Sequence, residues 1–328
     1  MASPALWSVY LDLLISELRQ LGVGCHVGGL YMGVVVYADD VLLLAPTIGA
    51  MQMILDKCQT YAAEHNISTD PNPKSKTKYI FVCGSKKNLV KPAPLTLCGR
   101  ELPWVSTATH LGHELHESGS MEHDALVKRA IFINNSVEIR EAFIFASPVE
   151  ILSAIKTYSA SIYGCMLWNL DGEGSSQVFN AWSTFVKLTW EVPRATRTYL
   201  VQQVLGAGLT SVKVDILARF AGFFVGLRKS PCYEVRVLAN LAGRDIRTTT
   251  GRNLNLLREL SGLDPWVYGG ARIKEELVKV EEVEVADADQ WRLSYLRKLL
   301  EQRQILHYEG DKAGEESKSE LINSLCIN

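Results

Sequence analysis

Apolar residues return along the first part of the chain in two different periods. Leu6, Tyr10, Leu13, Leu14 and Leu18 recur every three or four positions, with Ser8, Asp12, Ser16, Arg19 and Gln20 as the opposing polar stripe, which predicts an amphipathic helix. Ser3 followed by Pro4 supplies its start, a capping hydroxyl and then a proline at the first helical position, and Gly22 and Gly24 end it. Met32-Gly33-Val34-Val35-Val36 and Val41-Leu42-Leu43-Leu44-Ala45 are continuous apolar runs separated by Tyr37-Ala38-Asp39-Asp40. They predict two strands joined by a two-residue acidic turn, with both carboxylates at the tip of a buried hairpin. A second helix carries Met51, Ile54, Leu55, Cys58, Tyr61 and Ala62 on one face and closes at His65-Asn66. Tyr79-Ile80-Phe81-Val82-Cys83 predicts a further strand, so this part predicts an antiparallel sheet backed by helices.

Past Gly119 the pattern is helical. Leu126, Ala130, Ile133 and Val137 mark a helix over 121–145, interspersed with Lys128, Arg129 and Arg140. Ser147-Pro148-Val149-Glu150 reads as a capping box with proline at the first position, opening a helix through Tyr158 to about Trp168. Asp171 to Ser176 is the expected domain boundary. Further helices are expected at 178–190, 212–227, 231–242 and 288–306, the third bracketed by Ser230-Pro231 and Gly243. The chain thus reads as an α+β protein with domains at 1–118, 119–170 and 171–308, and a polar tail over 309–328.

Composition narrows the class. With 328 residues, 47% hydrophobic and 21% charged, the chain can bury a large core. It holds no apolar run of membrane-spanning length and no basic leader with a cleavage site, so an intracellular protein of nucleus or cytoplasm, without a membrane, is expected. Seven scattered cysteines without a Cys-x-x-Cys pair read as free thiols and argue against zinc. The net charge of −2 is unevenly spread. Pro71 to Arg100 holds Lys74, Lys76, Lys78, Lys86, Lys87, Lys91 and Arg100 without an acid, and a second zone gathers Arg228, Lys229, Arg236, Arg244, Arg247, Arg252 and Arg258. Clustered cations of this kind are an electrostatic footprint for phosphate, and equally the composition of a solvated loop.

The acidic pair is the chain's sharpest chemical feature. Two carboxylates on a rigid turn suit hard divalent cations, and two such ions about 3.5–4 Å apart can activate a hydroxyl and neutralise a leaving pyrophosphate. Asp-Asp is also a sound structural turn.

Residues 3 to 115 resemble the palm of a reverse transcriptase from a non-LTR (LINE-like) retrotransposon. Ser3 to Trp7 through Tyr10-Leu11-Asp12 is similar to the tail of that family's motif B, Tyr37-Ala38-Asp39-Asp40 to motif C, Asn72-Pro73-Lys74-Ser75-Lys76 to motif D, and His110-Leu111-Gly112-His113 to the motif E hairpin. The resemblance implies a partial polymerase palm, then a helical thumb and a mainly α-helical C-terminal region. It implies Asp39 and Asp40 as the catalytic, Mg²⁺-binding pair, Tyr37 as the floor beneath the primer end, and Ala38 as a residue small enough for the duplex to approach. Either Lys74 or Lys76 would protonate the pyrophosphate, and Gly112 would turn near the primer backbone. RNA template, DNA primer and deoxynucleoside triphosphates would be the partners.

A two-metal site also needs a third carboxylate on a neighbouring strand. Before Asp39 the only acids are Asp12 and Glu17, both on the first predicted helix. The chain begins at Met1-Ala2-Ser3-Pro4, inside motif B, so the resemblance implies truncation: the fingers, motif A and half of motif B are missing, and the fragment is expected to be inactive alone. A non-catalytic nucleic-acid-binding or protein-interaction remnant is the alternative expectation. His110, His113 and His116, with His123 beyond, have a metal-like spacing, but in an extended strand residues three apart point to opposite faces.

Overall fold

The computed structural model describes residues 3–38, 40–67, 77–82, 93–160, 162–197, 200–201, 211–281, 294–298 and 301. The protein is α+β: helices predominate, with small two-stranded antiparallel sheets. Two compact units form, one from residues 1–123 and 231–241, the other from 124–230 and 242–328. Among the described residues no helix is long and apolar enough to cross a membrane.

The first unit begins with α1 (Ser3–Gln20), followed by hairpins β1 (His26–Val27) to β2 (Leu30–Tyr31) and β3 (Val34–Tyr37) to β4 (Asp40–Leu43). Helix α2 (Ile48–Glu64) comes next, then hairpins β5 (Thr96–Leu97) to β6 (Arg100–Glu101) and β7 (Thr107–His110) to β8 (His113–His116). Thr47 caps α2 by accepting the Ala50 N–H at 3.1 Å, and its expected face is the one buried, through Ile54, Leu55, Tyr61 and Ala62. Burial pushes the Cys58 thiol up to about 11, consistent with an inert core thiol. In α1 the inward row differs from the expected one. Leu11, Leu14 and Leu18 are buried, whereas Tyr10 is 46% and Leu13 52% exposed. The helix is turned so that this row meets Ile54 and Tyr61 in one apolar cluster, while the Tyr61 hydroxyl donates to the Tyr10 carbonyl.

The opposite side of α2 carries β5–β6. The Gln52 side chain accepts the Thr96 N–H and donates to the Thr96 carbonyl, both at 2.9 Å, and Gln59 accepts the Cys98 N–H at 2.7 Å. Leu55, Leu95, Leu97 and Leu102 fill the space between. The strand expected at Tyr79–Cys83 reduces to one parallel bridge, Tyr79 with Trp104. Pro103, which accepts from the Tyr79 N–H at 3.2 Å, has no N–H with which to extend the ladder. Cys83 itself lies outside the described residues.

The second unit takes nearly all of α3 (Glu122–Ala142), then α4 (Pro148–Ala154), α5 (Glu173–Thr189), α6 (Val212–Arg228), the end of α7 (Tyr233–Arg244), α8 (Thr249–Ser261) and α9 (Gly270–Glu281). The capping box is present: Ser147 accepts the Glu150 N–H at 3.4 Å, and the Ser147 N–H donates to the Glu150 carboxylate at 2.8 Å. The helix it opens is shorter than expected. It passes into a single π turn, Ile155–Ser159, and Gly164 at φ +77 precedes a separate 3₁₀ turn, Cys165–Leu167. The segment expected as a boundary opens α5 instead, with Gly174 and Ser175 buried and the Ser175 hydroxyl donating to the Asn169 carbonyl at 2.7 Å.

Helix α3 also turns a different face inward. Asp124, Ala125, Phe132 and Ser136 are buried, and Leu126 and Val137 of the expected stripe are 40% and 41% exposed. The polar members satisfy themselves inside: Asp124 accepts the Trp168 indole N–H at 2.8 Å, and Ser136 donates to the Phe132 carbonyl at 2.7 Å. Asn253 of α8 continues the network, donating to the Trp168 carbonyl at 2.8 Å and accepting the Leu170 N–H at 2.9 Å. Gly243 lies in the last turn of α7, one residue before its end at Arg244. A Cβ there would fall 2.8 Å from Phe224 and 2.9 Å from Trp266, so glycine is needed for close packing. Helices α8 and α9 complete the packing around α6, and of the helix expected at 288–306 the described residues 294–298 and 301 are helical.

A largely buried carboxylate of this unit is shared by two lysines. Asp215 of α6 lies 3.0 Å from Lys156 of the π turn and 2.6 Å from Lys274 of α9. Burial pushes its carboxyl up, but the two ammonium groups prevail and hold it below the ordinary 3.8. Its contribution to stability is therefore complete above that value and is lost as pH falls through the lowered one. Asp215→Asn is expected to flatten the fall in urea midpoint below about pH 4; an acid limb unchanged by the substitution would refute the assignment. Removing the side chain in Asn253→Ala leaves the Leu170 N–H and the Trp168 carbonyl unpaired in the core, so a loss of about 2–4 kcal/mol is expected in equilibrium unfolding at neutral pH.

Candidate functional site

The β3–β4 hairpin pairs Val34 with Leu43, Val35 with Leu42, Val36 with Val41 and Tyr37 with Asp40. Its two-residue loop is therefore Ala38–Asp39, one position earlier than the expected Asp39–Asp40 turn. The Val36–Val41 pairing sets this register, and Ala38 takes the positive φ, +51°, that two-residue hairpin loops favour. Asp40 consequently begins β4 and shares a face with its pair partner Tyr37. Asp39 lies outside the described residues.

Nor is the hairpin buried. Val34, Val36 and Leu43 pack on the cluster formed by Leu11, Leu14, Leu18, Ile54 and Tyr61. The opposite face and the tip stand open, with Tyr37 68% and Val35 40% exposed and Asp40 exposed beside them. Backbone bonds tie the base: Leu44 N–H to the Gly33 carbonyl at 2.8 Å, Cys25 N–H to the Leu44 carbonyl at 3.0 Å and Met32 N–H to the Cys25 carbonyl at 2.7 Å. The result is a carboxylate held at the end of a short ribbon whose root is fixed.

The two acids that precede Asp39 both lie on α1. Glu17 pairs with Lys57 of α2 at 2.9 Å, and Asp12 is exposed on α1. Among the described residues the β3–β4 sheet has two strands, and no group of three or more His, Cys, Asp or Glu side chains is placed to hold a metal ion. Lys74 and Lys76 lie outside the described residues, as do Lys86, Lys87 and Lys91.

The β7–β8 hairpin has the expected turn. His110 pairs with His113 around Leu111 and Gly112, both left-handed at φ +49 and +76. The turn overrides the spacing argument for the histidines: reversal of the chain puts His110 and His113 opposite one another on one face, and His116 on the other. The His116 ring lies 5.6 Å from that of His123. The Ser118 N–H donates to His116 Nδ1 at 3.1 Å, and the Ser118 hydroxyl lies 2.8 Å from the same nitrogen.

Several arginines of the second basic zone bond to groups of the protein, most of them while staying exposed. In the first unit Arg236 donates to the Pro231 carbonyl at 2.9 Å. In the second, Arg228 donates to the Trp266 carbonyl at 2.6 Å with its guanidinium 4.7 Å above that ring. Arg252 donates to the Arg247 carbonyl at 3.1 Å, and Arg258 lies 3.2 Å from Asp264. Arg247 grips Asp245 with a fork of bonds that holds the Asp245 carboxyl at about 2. Asp245 lies within the zone in the sequence itself, whereas Trp266, 38 residues from Arg228, is not legible from clustering. The Lys156–Asp215–Lys274 cluster escaped for the same reason.

No protein-family model matches the chain, and no curated protein matches it.

Both turns hold a small residue in the left-handed region, Ala38 at φ +51 and Gly112 at φ +76. A left-handed backbone costs an L-residue about 1–2 kcal/mol, against about 0.5–1 kcal/mol for glycine's extra freedom in the unfolded chain. Ala38→Gly is thus expected to leave the urea midpoint level or raise it, and Gly112→Val to lower stability by about 1–2 kcal/mol; a clear loss in Ala38→Gly would show that Ala38 does not hold this turn.

Proposed function

We propose that the chain carries the metal-binding turn of an RNA-directed DNA polymerase, the reverse transcriptase of a non-LTR retrotransposon, and that its own residues make an incomplete catalytic centre. The observation that carries this reading is the Tyr37–Asp40 pairing, which closes a two-residue hairpin and leaves its acidic end exposed above a helix-backed platform. On this reading the first unit contains palm elements, α3 and α4 belong to a thumb, and the remaining helices follow it. The substrates would be an RNA template, a DNA primer and deoxynucleoside triphosphates, and the setting the nucleus or cytoplasm.

The donor chemistry suits a hard cation. Asp40 offers an exposed carboxylate next in sequence to a second one, and Mg²⁺ prefers oxygen ligands. Asp39 and Asp40 would hold it, and when bound it would supply charge neutralisation for phosphoryl groups. Tyr37, on the same face as Asp40, would support the primer end, Ala38 would leave room for the duplex, and Lys74 or Lys76 would deliver a proton to the leaving group. Two ions need a third carboxylate, which on this reading comes from a strand laid beside β3–β4. Loss of one member of a catalytic unit removes most of the rate.

Template-primed extension by the purified, folded chain with Mg²⁺ tests the proposal, with Asp39→Ala as control. No extension above background is expected from the chain alone. Extension that the substitution abolishes would overturn the incompleteness and show that a third carboxylate is already in place. Extension unaffected by the substitution would remove Asp39 from the chemistry. RNA binding measured across a salt series checks the polymerase lineage separately: phosphate contacts weaken steeply as salt rises, and failure to bind at low salt would favour a protein-interaction remnant.

A further inference from the structure

We draw no further inference here: the strongest candidate, the exposed apolar turn Phe143–Ile144–Phe145 at the end of α3, carries nothing because the structure does not show what covers it.

Discussion

The acidic turn stands on one apolar contact, the meeting of Leu11, Leu14 and Leu18 of α1 with Ile54 and Tyr61 of α2 beneath β3–β4. A two-stranded ribbon is at best marginally stable alone in water. Here Val34, Val36 and Leu43 gain that stability by packing, partly buried, on the helices. Most of the inward face is taken up by this packing, which leaves the outward face and the tip open to solvent. That is where Tyr37 and Asp40 lie.

The second unit uses a different device. Its core holds tryptophan and phenylalanine, and it also buries Asp124 and Asn253, with 0% and 1% of their surface exposed. Both are accommodated because Trp168 meets them from two sides, its indole N–H on Asp124 and its backbone carbonyl on Asn253. A buried polar group is tolerated only when its bonds are made, and a made network then specifies one packing over its apolar alternatives. The Asp215 cluster applies the same rule to charge, with one carboxylate shared by two lysines.

These constraints bear on the candidate site through charge. Part of the arginine content that suggests a nucleic-acid surface is held by the fold, as at Arg228, and Arg247, although 88% exposed, is neutralised by the adjacent Asp245. The proposed polymerase reading consequently rests on the acidic hairpin more than on the second basic zone. The hairpin was legible because Tyr37-Ala38-Asp39-Asp40 sits between two apolar runs. Its exact turn was not, because a shift of one residue leaves the same pattern of apolar and acidic letters while moving Asp40 from the loop into a strand.

By itself the sequence determined what neighbouring residues decide among themselves. The Ser147–Glu150 capping box, the inward face of α2 and the glycine turn at Gly112 all follow from groups within four positions of one another. Tertiary structure alone decided which row of α1 faces inward, why α3 buries Asp124 and Ser136 while exposing Leu126 and Val137, and why no side chain fits at Gly243. Each depends on a partner distant along the chain: α2 for α1, Trp168 for Asp124, Phe224 and Trp266 for Gly243. A helix offers several faces of similar hydrophobicity, and the one that is buried is the one for which a complementary surface exists.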